Sequence, residues 1–217
     1  MARVEQEAMG PETKRLMKEL IKYESVGHLY WAVFRCPPVL KSGKGATLTD
    51  VDGNNFVDFM GGFGVHNAGL SHPDIVKAIK EQAERLNHIA CAAGLAMINV
   101  LQRDKVPEHA ASVGEHLLRR LRDMQEEHPL LGDANGKGLF VGIEFVRSRD
   151  TKEPANKEAE WIQRQCVHKG LLIQRAGYFA NRFNIYPPLS LTKEEADKGV
   201  DILEELIRDA EREFNIR

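Results

Sequence analysis

Two short runs of strand-forming residues, 46–49 and 55–59, flank Asp50-Val51-Asp52-Gly53-Asn54, and this pattern constrains the chain more than any other. The Asp52-Gly53 step accepts the positive φ of a tight turn, so the two runs predict an antiparallel hairpin. A lone hairpin is marginal in water and needs further strands or a helix against its apolar face. The rest of the chain therefore has to supply cover, and most of it carries helical periodicity.

Pro11 with Glu12 gives a first helical turn, after which Leu16, Leu20 and Ile21 recur on one side. No period survives from 27 to 44, where Tyr30, Trp31, Phe34, Cys36 and Pro37-Pro38 form an apolar, extended segment. Residues 1–44 thus read as a helix followed by an extended arm. Pro73 opens a helix with Ile75, Val76, Ile79, Ala83 and Leu86 on one face, ending near Asn87. The small, apolar run 89–100 predicts a helix buried on nearly all sides. Pro107 restarts a long amphipathic helix, with Val113, Leu117, Leu121 and Met124 inward, that stops around His128-Pro129.

The glycine-rich stretch 132–138 reads as punctuation before a branched and aromatic strand over 139–146. A helix over 158–169 ends at Gly170 in a left-handed cap and leads to a strand over 171–174. A further strand covers 181–186 and is closed by Pro187-Pro188. Thr192 and Glu195 form a capping box for a final helix that buries Val200, Leu203, Leu206 and Ile207. The order predicts an α+β fold, helices laid on a small, largely antiparallel sheet.

Several chemistries are excluded. A formal charge of -2 with 29% charged residues leaves no basic excess to draw nucleic acid. The charged N-terminus, and the lack of any run near the roughly 18 apolar residues of a membrane span, point to the cytoplasm and away from membranes. Cys36, Cys91 and Cys166 are widely spaced without a CxxC pair, and the histidines include no HExxH, so spacing predicts no metal site. Residues 61–69 are rich in glycine, but Asn67 stands where a dinucleotide fingerprint needs glycine, and no Gly-Lys-Ser/Thr follows. Ser71-His72 reads as a helix cap, because adjacent side chains point apart and nothing orients them as nucleophile and base. Lys137, between Gly136 and Gly138, lacks the apolar enclosure of a Schiff-base lysine. Tyr30, Trp31 and Phe63 read equally as a binding surface or as internal packing.

Taken together, Gly45-Ala46-Thr47-Leu48-Thr49-Asp50-Val51-Asp52-Gly53-Asn54, Val57-Asp58-Phe59-Met60 and Gly64-Val65-His66-Asn67-Ala68-Gly69-Leu70-Ser71-His72-Pro73 resemble the N-terminal signature of class III pyridoxal-phosphate aminotransferases, the family of the ornithine, acetylornithine and 4-aminobutyrate enzymes. Ala90-Cys91-Ala92-Ala93-Gly94-Leu95-Ala96, Gly136-Lys137-Gly138-Leu139-Phe140-Val141-Gly142-Ile143-Glu144 and Pro187-Pro188-Leu189-Ser190-Leu191-Thr192-Lys193-Glu194-Glu195 resemble its C-terminal part. The resemblance implies that 45–217 is a composite small domain of a fold type I aminotransferase. Its two halves join near 87–90, where the family has its large, cofactor-holding domain. The phosphate cup, the aspartate at the pyridine nitrogen and the aldimine lysine belong to that missing middle, so the resemblance implies no catalytic residue and no cofactor for this chain alone, pyridoxal phosphate being the parent family's. Trp31 and Phe63 match substrate-facing positions. Asn184 falls where the family commonly has the arginine that grips a substrate carboxylate, while Arg182 lies two residues, or about 7 Å, along the strand. The expected role is an oligomerising or interaction module, as a homo-oligomer or paired with a full-length relative. The alternative is part of an active aminotransferase that passes an amino group to a keto acid.

Overall fold

The computed structural model describes residues 10–20, 38–85 and 88–216. The expected hairpin forms from β2 (Thr47–Asp50) and β3 (Asn55–Asp58), with Leu48 opposite Phe56. The turn is held from within. One Asp50 oxygen accepts the N–H groups of Asp52 and Asn54 at 3.0 and 2.8 Å, the other accepts Asn54 Nδ2, and Gly53 takes φ 86°. A third strand, β1 (Leu40–Lys44), adds to the outer side of β2, within a stretch read from sequence only as extended and aperiodic. Its Leu-Lys-Ser-Gly-Lys has little strand propensity and suits an exposed edge, where lysines deter further pairing. Asp52 reaches α1 (Pro11–Leu20), its carboxylate accepting the N–H groups of Glu12 and Thr13 at 2.9 Å each. An anion at those unpaired donors anchors the helix to the hairpin turn.

The run over 171–174 divides between two sheets. β6 (Leu171–Leu172) pairs in parallel with β3, giving the order β1-β2-β3-β6, whereas β7 (Gln174–Ala176) joins β4 (Leu131–Lys137), β5 (Phe140–Phe145) and β8 (Arg182–Ile185) in the order β4-β5-β8-β7. Ile173, 1% exposed, sits at the crossing. The stretch over 132–138 is therefore a strand, not punctuation. Its glycines hide the signal, since Gly136 lies against Val141 where a side chain could not, and Gly138 with φ 56° turns the hairpin.

Two helices cover the second sheet, α5 (Val106–Glu127) and α6 (Asn156–His168), and α7 (Lys193–Glu213) packs on both of them and against β3. Leu117, Leu121, Ile143, Phe183, Leu203 and Ile207 are fully buried between them, and Phe145 meets Phe183 edge to face at 4.8 Å. The capping box of α7 forms in both directions, Thr192 Oγ1 accepting the Glu195 N–H and Glu195 accepting the Thr192 N–H.

The remaining helices, α3 (Pro73–Ala83) and α4 (Ile89–Arg103), form a hairpin of their own, tied by Arg103 to Asp74 at 2.6 Å. His72 caps α3, its Nδ1 accepting the Asp74 N–H at 3.3 Å. The expectation of a helix buried on nearly all sides over 89–100 is not met. Val100 is the one buried residue of α4, and Leu95 and Ile98 are 62% and 53% exposed. The small residues let α4 lie close along α3, while the apolar residues beyond that seam face outward. Among the described residues, no helix is long and apolar enough to cross a membrane.

Candidate binding site

Immediately after β3 the chain must turn under its own carboxylate. Asp58 Oδ1 accepts the N–H groups of Met60 and Gly61, each at 2.9 Å, and holds the start of the short turn α2 (Gly61–Gly64). This turn is wound left-handed: Gly61, Gly62 and Phe63 have φ of 51°, 57° and 60°. Glycine is required at 61, because a Cβ there would run into the Tyr186 carbonyl and Pro187. Phe63 has no such licence and carries a strain of roughly 1–2 kcal/mol.

The left-handed turn sets Phe63 on the rim of an apolar pocket of about 220 Å³, whose walls include Leu48, Met60, Val167 and Leu172. Asp58 and His66 also line it. Asp58 is 1% exposed, and its Oδ2 is buried without a hydrogen-bond partner. His66 Nδ1, likewise unpartnered, stands 3.8 Å away, too far for a hydrogen bond.

Burial pushes the Asp58 carboxyl above its ordinary range, against the opposing pull of the Met60 and Gly61 N–H groups and of His66. A carboxyl with a raised folded-state value favours folding below its unfolded value and loses that contribution as pH rises through the folded one. Asp58→Asn keeps the Oδ1 acceptor and removes the buried charge. The variant is therefore expected to melt higher than the parent at neutral pH, by about 1 kcal/mol, and to converge with it in acid. Thermal melts from acid to neutral pH check this, and a variant that melts lower at neutral pH contradicts it.

The second sheet presents different chemistry. On β8, Arg182 and Asn184 are half-buried, and Arg182 donates to Asn135 Oδ1 at 2.8 Å. By register, Asn184 stands between Gly142 and Gln174, away from the residues that line the Phe63 pocket.

A sequence profile described as Aminotransferase class-III matches residues 33–90 and 86–207. The chain belongs to the class III aminotransferases. Among its relatives, the Arabidopsis thaliana protein named alanine–glyoxylate aminotransferase 2 homolog 2, mitochondrial, is 42% identical over 118 residues, 54% of this chain and 25% of its own length. A solved Bacillus anthracis aminotransferase is 31% identical, with a TM-score of 0.53 over 65% of this chain and 35% of that one. The acetylornithine aminotransferase of Elizabethkingia anophelis shares the fold, with a TM-score of 0.75 at 14% identity over 90% of this chain and 99% of that one. The chain spans about a quarter of the length of the curated relatives it matches.

Class III chemistry uses pyridoxal phosphate, and the described residues do not fit it. Every described lysine is exposed, Lys137 included, whereas an aldimine lysine needs enclosure to lose its proton near neutral pH. The described thiols offer no substitute: Cys166 is buried with its pKa raised by burial, and Cys91 lies exposed on α4.

Of the class III positions read from sequence, Trp31 lies outside the described residues, as do Tyr30, Phe34, Leu86 and Asn87. Phe63 and Asn184 are described but are not brought into one pocket. Sequence reasoning missed Asp58 and His66 as a pair. The available signal was Gly61-Gly62, which allows a left-handed turn to fold residue 66 back toward residue 58.

Proposed function

We propose that this chain is a small domain of a class III aminotransferase that does not transaminate alone and that works as an interaction module, meeting a second copy of itself or a full-length relative. The carrying observation is α4, an apolar helix with a single buried residue. The matched segments meet at 86–90, between α3 and α4, which supports a junction at the place where the family carries its large domain. On this reading the outward face of α4 is a surface shaped to meet that domain. A reducing compartment such as the cytoplasm suits the free thiols Cys91 and Cys166.

The chain's short span relative to its relatives favours a second reading, in which it is part of an active enzyme that holds pyridoxal phosphate once the rest is present. One experiment tests the first reading. The purified chain is mixed with pyridoxal phosphate, its absorbance recorded before and after borohydride, and its intact mass measured. The expected result is no persistent aldimine band and a mass near 24.4 kDa. A stable band reduced onto one specific lysine overturns the proposal.

A further inference from the structure

Away from the pocket, one histidine is held as metal-binding histidines are held. His128 follows the last residue of α5 and is 5% exposed, and its backbone N–H still donates to the Met124 carbonyl at 2.9 Å. Its Nδ1 lies 2.8 Å from Glu211 Oε2 on α7, and the other oxygen of Glu211 accepts the Leu130 N–H at 3.2 Å. A carboxylate only accepts, so Nδ1 carries the proton of the neutral ring and Nε2 keeps an unshared pair. That Nε2 is buried and has no hydrogen-bond partner.

Two further carboxylates complete the cluster. One ring nitrogen of His128 and one oxygen each of Glu127 and Glu204 lie within 4.8 Å of one another. Glu204 and Glu211 are about two turns apart on α7 and so share a face of that helix. Glu204 is partly exposed and Glu127 exposed, which leaves an open side for entry.

We propose that His128, Glu127 and Glu204 form a zinc(II) site, with Glu211 as the carboxylate behind the histidine. One imidazole nitrogen and two carboxylate oxygens are a donor set for zinc, whereas calcium and magnesium favour oxygen donors alone. Zinc–ligand distances of about 2.0–2.2 Å require the donors to draw closer than they stand, and Glu127, exposed at the end of α5, has the freedom to do so. Two arginines compete for Glu204: Arg208 at 2.9 Å on Oε1 and Arg120 at 3.9 Å on Oε2. Zinc must displace or share these contacts, which tunes the site to modest affinity. A carboxylate on the far nitrogen of a ligating histidine fixes its tautomer and raises its basicity, the arrangement that Glu211 provides here.

The test is isothermal titration of the full chain with zinc chloride, with cobalt(II) as an absorbing probe and ¹⁵N spectra of the histidine side chains. One zinc per chain is expected, with a shift of the His128 Nε2 resonance on binding. Glu127→Gln and Glu204→Gln are each expected to weaken binding at least tenfold. Glu211→Gln is expected to weaken it about 10–100-fold and to alter the cobalt spectrum, as a positioning residue should. His128 is a core residue whose replacement risks unfolding, so the two glutamate variants carry the test. No zinc binding, binding unaffected by both variants, or an unmoved His128 Nε2 resonance overturns the site.

Discussion

Gly114→Ala is expected to destabilise the chain by about 3 kcal/mol, even though alanine is the better helix former by about 1 kcal/mol. Gly114 is buried in the middle of α5 and faces the β4–β5 turn, where an added Cβ would fall inside the backbone of Gly138. Nothing there yields cheaply. The obstacle is a main-chain Cα and carbonyl, and Gly138 is itself committed to φ 56° by the turn it makes. Moving α5 away would open its seam of Val113, Leu117 and Leu121 against the sheet. Chemical denaturation of the variant measures the loss. Gly94→Ala on α4 is the matched control, because a Cβ there meets nothing, and it should gain roughly 0.5–1 kcal/mol from helix propensity alone. If the two variants behave alike, the seating of α5 on the turn is wrong.

The same contrast explains which parts of the fold could be read from sequence. The hairpin turn at Asp50 to Asn54 and the Thr192 capping box are closed by side chains binding backbone a few residues away, so local chemistry specifies them. The strand over 132–138 owes its existence to the ladder with 140–145, and its glycines report close approach where strand propensity would be sought. Leu171 and Gln174 fall in different sheets because β3 and β8, distant in sequence, claim opposite ends of one run. Helix α4 misled for another reason. Its composition records an apolar environment, and within the described residues only one face of it is met by α3. At the pocket, Asp58 and His66 were visible singly, but their meeting depends on a left-handed turn that a glycine pair permits and does not announce. The cluster at His128 is still less legible, since two of its carboxylates, Glu204 and Glu211, come from an element some eighty residues later in the chain.

Leu95→Glu with Ile98→Glu is expected to abolish self-association while leaving the fold intact. The two side chains are 62% and 53% exposed and lie a turn apart on α4, so the chain alone makes little use of them. Far-UV circular dichroism and the melting temperature should therefore match the parent. In a complex the balance reverses. Apolar area is worth about 25 cal/mol per Å², and an interface near 800 Å² on each partner supports a stable dimer. Two glutamates carried into such an interface bury charges with no partner, each costing several kcal/mol, which is enough to weaken dimerisation by well over 100-fold. Light scattering across a concentration series reads the outcome. A parent chain that stays monomeric throughout removes a second copy as the partner for α4 and leaves a full-length relative. A variant that dimerises like the parent moves the interface to another face, and with it the proposed role of the helix that most contradicts its own composition.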